Sequence, residues 1–166
     1  MGTVGFQFAR RFDLNFSAGG IIEGEIFHSN FKHQLVPGWL ASAQFGILAL
    51  KENRAIPFLR FSVAASFSNS GVKNDGNIES LIASDVRLGM TVGYTLLSRW
   101  QVYLAPKVFG GPVFWDRADG RIQGRDRYFF QAAMGSSLRL PGEVSIFVEG
   151  SAFGEQMIST GLTWVF

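Results

Sequence analysis

Carboxylate, imidazole and hydroxyl come closest together in Glu25-Ile26-Phe27-His28-Ser29-Asn30, followed by His33. A serine beside a histidine with an acid nearby is the raw material of an acyl hydrolase, in which the base takes the nucleophile's proton and the acid orients the base. The spacing argues against it. His28 and Ser29 are adjacent, so on a strand their side chains point to opposite faces, and no downstream acid can be assigned to complete a triad. The preferred reading is a polar strand end entering a loop: no catalytic set is expected, and His28 and Ser29 are the candidates should one exist.

Two further groups of residues carry chemistry. Residues 111–127 hold Trp115, Asp116, Arg117, Asp119, Arg121, Arg125, Asp126 and Arg127. Guanidinium forks match phosphate oxygens, so Arg117, Arg121, Arg125 and Arg127 are expected contacts for lipid phosphates. A solvated loop whose acids neutralise its bases is the competing expectation. The second group is scattered: Glu23, Glu25 and Glu149 against Arg60, Arg87 and Lys107, each isolated among small or apolar residues. Isolated charges need partners wherever water is excluded, so these six are expected to form one network.

Composition removes whole classes. The 166 residues include no Cys and 2 His, which excludes disulfides, thiolate metal sites and cysteine nucleophiles and leaves little for a histidine cluster. No metal or other cofactor is expected. A formal charge of +2 is too small for a nucleic-acid partner. Residues 34–50 are the longest uncharged stretch, yet Pro37, Gly38, Ser42 and Gln44 interrupt it, so no helix reaches the ~20 apolar residues needed to span a bilayer. Met1 to Phe6 lacks a basic region followed by an apolar block, so an exported chain is met here in processed form.

The elements that must position these side chains repeat every two residues. Val86, Leu88, Met90, Val92, Tyr94 and Leu96 alternate with Asp85, Arg87, Gly89, Thr91, Gly93 and Thr95. Val144, Ile146, Val148 and Gly150 likewise alternate with Ser145, Phe147, Glu149 and Ser151, and Ile158, Thr160, Leu162, Trp164 and Phe166 share one face. This is strand periodicity. It yields segments over 12–27, 39–50, 57–67, 84–96, 100–110, 128–140, 143–153 and 156–166, long enough for tilted membrane crossings. Short connections at 51–56, 97–99 and 141–142 alternate with long ones at 29–38, 68–83 and 111–127, with Asp75-Gly76 and Asp119-Gly120 as turn signals. Charges stay off the apolar face. A soluble barrel or sandwich also alternates, but its exterior should be rich in Lys, Glu and Thr, whereas this polar face is mostly Gly, Ser, Ala and Thr. The apolar face carries Trp39, Tyr94, Trp100, Trp164 and Phe166 near segment ends, as interfacial girdles do.

The ending Gly161-Leu162-Thr163-Trp164-Val165-Phe166 resembles the C-terminal signal of bacterial outer-membrane barrels, a terminal Phe preceded by alternating apolar residues. With the strand pattern, the resemblance extends over nearly the whole chain, to the small eight-stranded barrels typified by the OmpA, OmpX and OmpW families. It implies an outer-membrane location, membrane lipids and lipopolysaccharide as surroundings, and recognition by the barrel-assembly machinery through Trp164 and Phe166. The 25–30 stretch is similar in composition, though not in spacing, to the His-x-Ser-Asn sequence of lipid A deacylase barrels, so their catalytic residues do not carry over.

The resulting expectation is all-β: one domain over 1–166, a monomeric transmembrane antiparallel up-and-down barrel of eight strands. Its narrow lumen is filled by Glu23, Glu25, Arg60, Arg87, Lys107 and Glu149, and its role is structural or at the cell surface. A lipid A-modifying acyl hydrolase and a narrow channel for small solutes are the alternatives. Residues 1–11 also alternate, through Val4, Phe6 and Phe8. They are expected to extend the first strand or to add another, the first being preferred because closed antiparallel barrels favour even numbers.

Overall fold

The computed structural model describes the chain apart from residues 1, 23, 29–30, 75–76, 118–119, 126–128, 143, 154–156 and 165–166, and apart from the side chains of 26–28, 31, 74 and 164. Among the described residues 87% are in strands and none in helices. The strands are β1 (Gly2–Phe8), β2 (Phe12–Ile21), β3 (Gly24–His28), β4 (Phe31–Leu50), β5 (Phe58–Asn74) and β6 (Asn77–Leu96), then β7 (Trp100–Gly110), β8 (Pro112–Arg117), β9 (Gly120–Arg125), β10 (Phe130–Arg139), β11 (Val144–Phe153) and β12 (Met157–Trp164). Every ladder is antiparallel, and the main path runs β1-β2-β4-β5-β6-β7-β10-β11-β12.

Three of the twelve segments prolong others. Ile21↔Gly38 and Gly24↔Leu35 keep one register across the gap between β2 and β3. Val86↔Gly110 and Ala83↔Val113 do the same across Gly111, joining β7 to β8. The β8–β9 and β7–β10 ladders differ by one residue in register, since Pro112 faces Arg125 while Val108 faces Phe130. The change exchanges the faces on which odd and even residues of β9 and β10 lie.

Where eight strands are expected, the described residues form a nine-strand path. The sheet curls into a half-barrel, and no ladder joins β1 to β12 among the described residues. The additional strand is β1. Rather than extending β2, it folds back on it through a turn closed by the Arg11 N–H donating to the Phe8 carbonyl, and pairs from Phe8↔Phe12 to Gly2↔Ala18. The long connections are a second correction. The β3–β4, β5–β6 and β8–β9 hairpins continue the ladders outward, with pairing as far as His28↔Phe31, Asn74↔Asn77 and Arg117↔Gly120. Polar composition hid them, because the outer parts of these strands have no continuous apolar face to set a period.

Period two sorts the side chains as expected. The convex face carries Phe16, Phe45, Phe61, Val86, Leu88, Leu104, Met134, Val148 and Leu162, all exposed. The concave face carries Gly, Ser, Ala and the charges of the strands' inner parts, Asp13, Arg60, Asp85, Arg87, Lys107 and Glu149, and the well-buried side chains sit there too: Val72, Ala105, Phe109, Trp115, Gln131 and Ala133. They cluster on β5 to β10 toward the hairpin end.

Candidate functional site

Among the described residues, three acid–base pairs can be traced on the concave face, each made with near neighbours in the sheet. The first joins β2 to β5 over the intervening β4: Arg60 Nε donates to Asp13 Oδ2 at 2.9 Å and its Nη2 reaches Oδ1, while Asn15 Nδ2 donates to Oδ1 at 2.8 Å. Residue 46 lies between Asp13 and Ser62 in the register, beneath this pair. It is glycine for want of space, because a Cβ there would run into both the Arg60 guanidinium and the Asp13 carboxylate.

The second group repeats that construction between β7 and β11. Glu149 accepts from Tyr103 Oη at 2.9 Å and from Lys107 Nζ at 3.1 Å. Gly135 of β10 lies beneath, and a Cβ on it would meet the Tyr103 ring. The third pair is Arg87 Nε with Asp85 Oδ2, two residues apart on β6, with the Arg87 guanidinium 5.5 Å from the Phe109 ring centroid. Side chains in all three groups keep between 14% and 34% of their surface exposed. These pairs lie along the wall of the half-barrel.

Of the six charges expected in one network, Arg60, Arg87, Lys107 and Glu149 stand on the concave face, where the contacts among the described residues fall into three groups. Glu25 does not join them. It pairs with Lys32 Nζ at 2.6 Å, both side chains more than half exposed. The cause is the irregularity between Val36 and Trp39, where two residues of β4 face one of β5. It turns Gln34 and Lys32 to the convex side, and Glu25, opposite Gln34, goes with them. Glu23 lies outside the described residues. The acids that hold Arg60 and Arg87 are Asp13 and Asp85, with Tyr103 on Glu149. Their strand parity is the sequence signal that marks them, since each falls on the same face as its partner.

The arginines of the β8–β9 hairpin divide between the faces. Trp115 and Arg117 belong to the concave side: Trp115 is 4% exposed, Arg117 lies 5.3 Å from its ring centroid, and His33 of β4 meets the same ring edge-on at 4.9 Å. Arg121, Arg125 and Phe114 lie on the convex side. Arg121 donates twice to Asp116, with Nη2–Oδ2 at 3.1 Å, and lies 5.6 Å from the Phe114 centroid. Its hydrogen bond holds the Asp116 carboxyl below the usual carboxylate range, and the bond holds Arg121 above its ordinary value in return. Arg125 is exposed, and Arg127 lies outside the described residues.

His28 pairs through its backbone with Phe31; its side chain and Ser29 lie outside the described residues, so the acyl-hydrolase candidates gain no geometry. Trp164 pairs through its backbone with Val144, while its side chain and Phe166 likewise lie outside. Among the described residues no group of three metal-ligating side chains occurs. No family model matches this chain, nor does any curated protein or solved structure.

Proposed function

We propose that this chain is the wall of a membrane-embedded β-barrel of the bacterial outer-membrane kind, with its convex face against lipid and its paired charges lining the interior. One observation carries the reading: the continuous apolar face is the outer one. The chain exposes 11556 Å², against about 8100 Å² expected of a compact soluble protein of its 18.3 kDa mass. A soluble barrel or sandwich would turn Phe45, Phe61, Leu88 and Leu104 inward. Here they stand out from the wall, in a patch far larger than water-facing surfaces tolerate.

The vertical order of side chains supports the same reading. Trp39 packs against Phe67 at the hairpin end, with ring planes tilted by 39° and centroids 5.6 Å apart. At the turn end Tyr94 Oη donates to the Asn53 carbonyl at 2.9 Å, and Trp100 Nε1 donates to Ser136 Oγ at 2.6 Å. Trp39 and Ile47 are eight residues apart on β4, roughly 26 Å along a strand, comparable with the ~25 Å apolar band of such barrels. Amphipathic rings at both rims and apolar side chains between them, aliphatic and Phe, suit two interfaces and a hydrocarbon layer. Arg121 then faces outward beyond the hairpin-end rim, at the level of lipid phosphates or lipopolysaccharide, while Arg125, next to Gly124 in the row of Val113, Ala83, Ser68 and Leu40, stands at the rim itself.

The biochemical role that fits is a barrel whose lining neutralises its own charges, structural or cell-surface in purpose. A polar conduit for small solutes is the second reading, favoured because the ion pairs lie along the wall instead of bridging it. The test is to refold the protein into detergent and compare unboiled with boiled samples on a denaturing gel. A heat-dependent mobility shift is expected. Folding in plain buffer without detergent would overturn the membrane reading.

A further inference from the structure

The two outer edges of the sheet are β1 and β12, and they run in the same direction. Nine strands in an antiparallel path make the first and the last parallel, so both go from the hairpin end to the turn end. Along β1 every residue from Gly2 to Phe8 is exposed. Resting on the membrane reading, these edges pose a definite problem: backbone N–H and C=O groups at a sheet edge find no partner in hydrocarbon, so open edges are not left there.

We infer that two copies of this chain close into one barrel, β1 of each pairing with β12 of the other in two parallel seams. Curvature favours this over closure of one chain. Nine strands complete only half a turn, so a head-to-tail contact repeated by a two-fold rotation about the barrel axis closes after two copies. One chain closing alone would have to curl twice as tightly, to a radius at which side chains fill the interior.

The faces match at the seam. Val4, Phe6 and Phe8 on the convex side of β1 meet the belt of Ile158 and Leu162 on β12, all exposed in the single chain. On the concave side, Thr3 and Gln7 continue the polar lining of Ser159 and Thr163. The rotation keeps all short turns at one end and all hairpins at the other, as one membrane orientation requires. Antiparallel pairing of β1 with β1 would invert one copy and is excluded on that ground. Parallel ladders are slightly weaker per residue than antiparallel ones, but both edges are satisfied at once. A circuit of eighteen strands encloses an aqueous lumen, whereas eight strands leave room for little beyond side chains.

The chain contains no cysteine, so introduced thiols report the seam alone. Gln7→Cys and Thr3→Cys are each combined with Ser159→Cys or Thr163→Cys, the four pairs covering the seam's unknown stagger. Each variant is refolded into detergent, checked for the heat-dependent shift, oxidised and run without reductant. Covalent dimers that do not grow into longer ladders are expected from at least one pair, with particles of twice the chain mass by native mass spectrometry. Mixing a Gln7→Cys chain with the matching single-cysteine β12 chain should give a covalent heterodimer. A disulfide within one chain, or heat-shiftable particles of single-chain mass, would overturn the two-copy seam and leave the membrane reading standing. Loss of the heat-dependent shift in the unsubstituted protein would instead remove the membrane reading itself.

Discussion

The Arg60–Asp13 pair shows how far a single glycine can matter on this face. The two side chains keep 26% and 24% of their surface exposed, so the pair falls short of a fully buried one. Arg60→Ala should lower unfolding stability in detergent by about 1.5–3 kcal/mol, the range for hydrogen bonds to charged groups. Gly46→Ala should act on the same contact, because its methyl would occupy the path of the guanidinium. Chemical unfolding of the two single variants and the double variant checks both points: the double variant should lose clearly less than the sum. An unchanged midpoint in Arg60→Ala would refute a stabilising role. Asp13 and Asp85 were recognisable as polar-face residues from parity, but which acid holds which base was not. That choice depends on register, and register pairs residues 47 positions apart in the chain.

At the scale of elements, the turns reveal strain and the hairpins reveal charge. The β6–β7 turn places Leu97 at φ 50° and Ser98 at φ 60°, and the β1–β2 turn places Ala9 at 48° and Arg10 at 55°. Both turns have two left-handed residues in the primed geometry that Asn-Gly serves best. Replacing Leu97-Ser98 by Asn-Gly should therefore stabilise the fold by about 1–2 kcal/mol, read as a higher unfolding midpoint with an unchanged slope. In the β8–β9 hairpin, Asp116 has its carboxyl lowered by Arg121. A lowered acid contributes its stability above the ordinary carboxylate range and loses it as pH falls through the lowered value. Hydrogen-exchange protection of the hairpin amides, corrected for intrinsic rates, should thus drop in acid. Asp116→Asn should remove that pH dependence by giving the weaker protection already at neutral pH. The Asp119-Gly120 signal was legible before any fold was known, but the strands flanking it were not. Their pairing comes from neighbouring ladders, where Leu81 holds Trp115 and Ser80 holds Asp116.

The molecule as a whole is a single curved layer, so its two faces meet different surroundings and its interior is a lining instead of a core. If the enclosed space conducts, the wall pairs set its selectivity: Glu149→Gln leaves Lys107 without its carboxylate and should shift the reversal potential of bilayer currents toward anions. Lys107→Gln should shift it the other way, and identical potentials in both variants would place this pair outside the conducting path.

Alternation along 84–96 and 143–166 determined by itself that the chain is all-β and that Asp85, Arg87 and Glu149 stand on the polar face of their strands. Those are consequences of the pleat, which a strand carries locally. Tertiary structure alone decided the rest. It made β1 a ninth strand, because whether a polar-apolar repeat extends a neighbour or folds back on it depends on the backbone of one turn. It moved Glu25 out of the lining, because two residues of β4 opposite one of β5 reverse the parity beyond them. Finally it left the sheet half closed, because curvature is a property of nine strands twisting together and no single strand contains it.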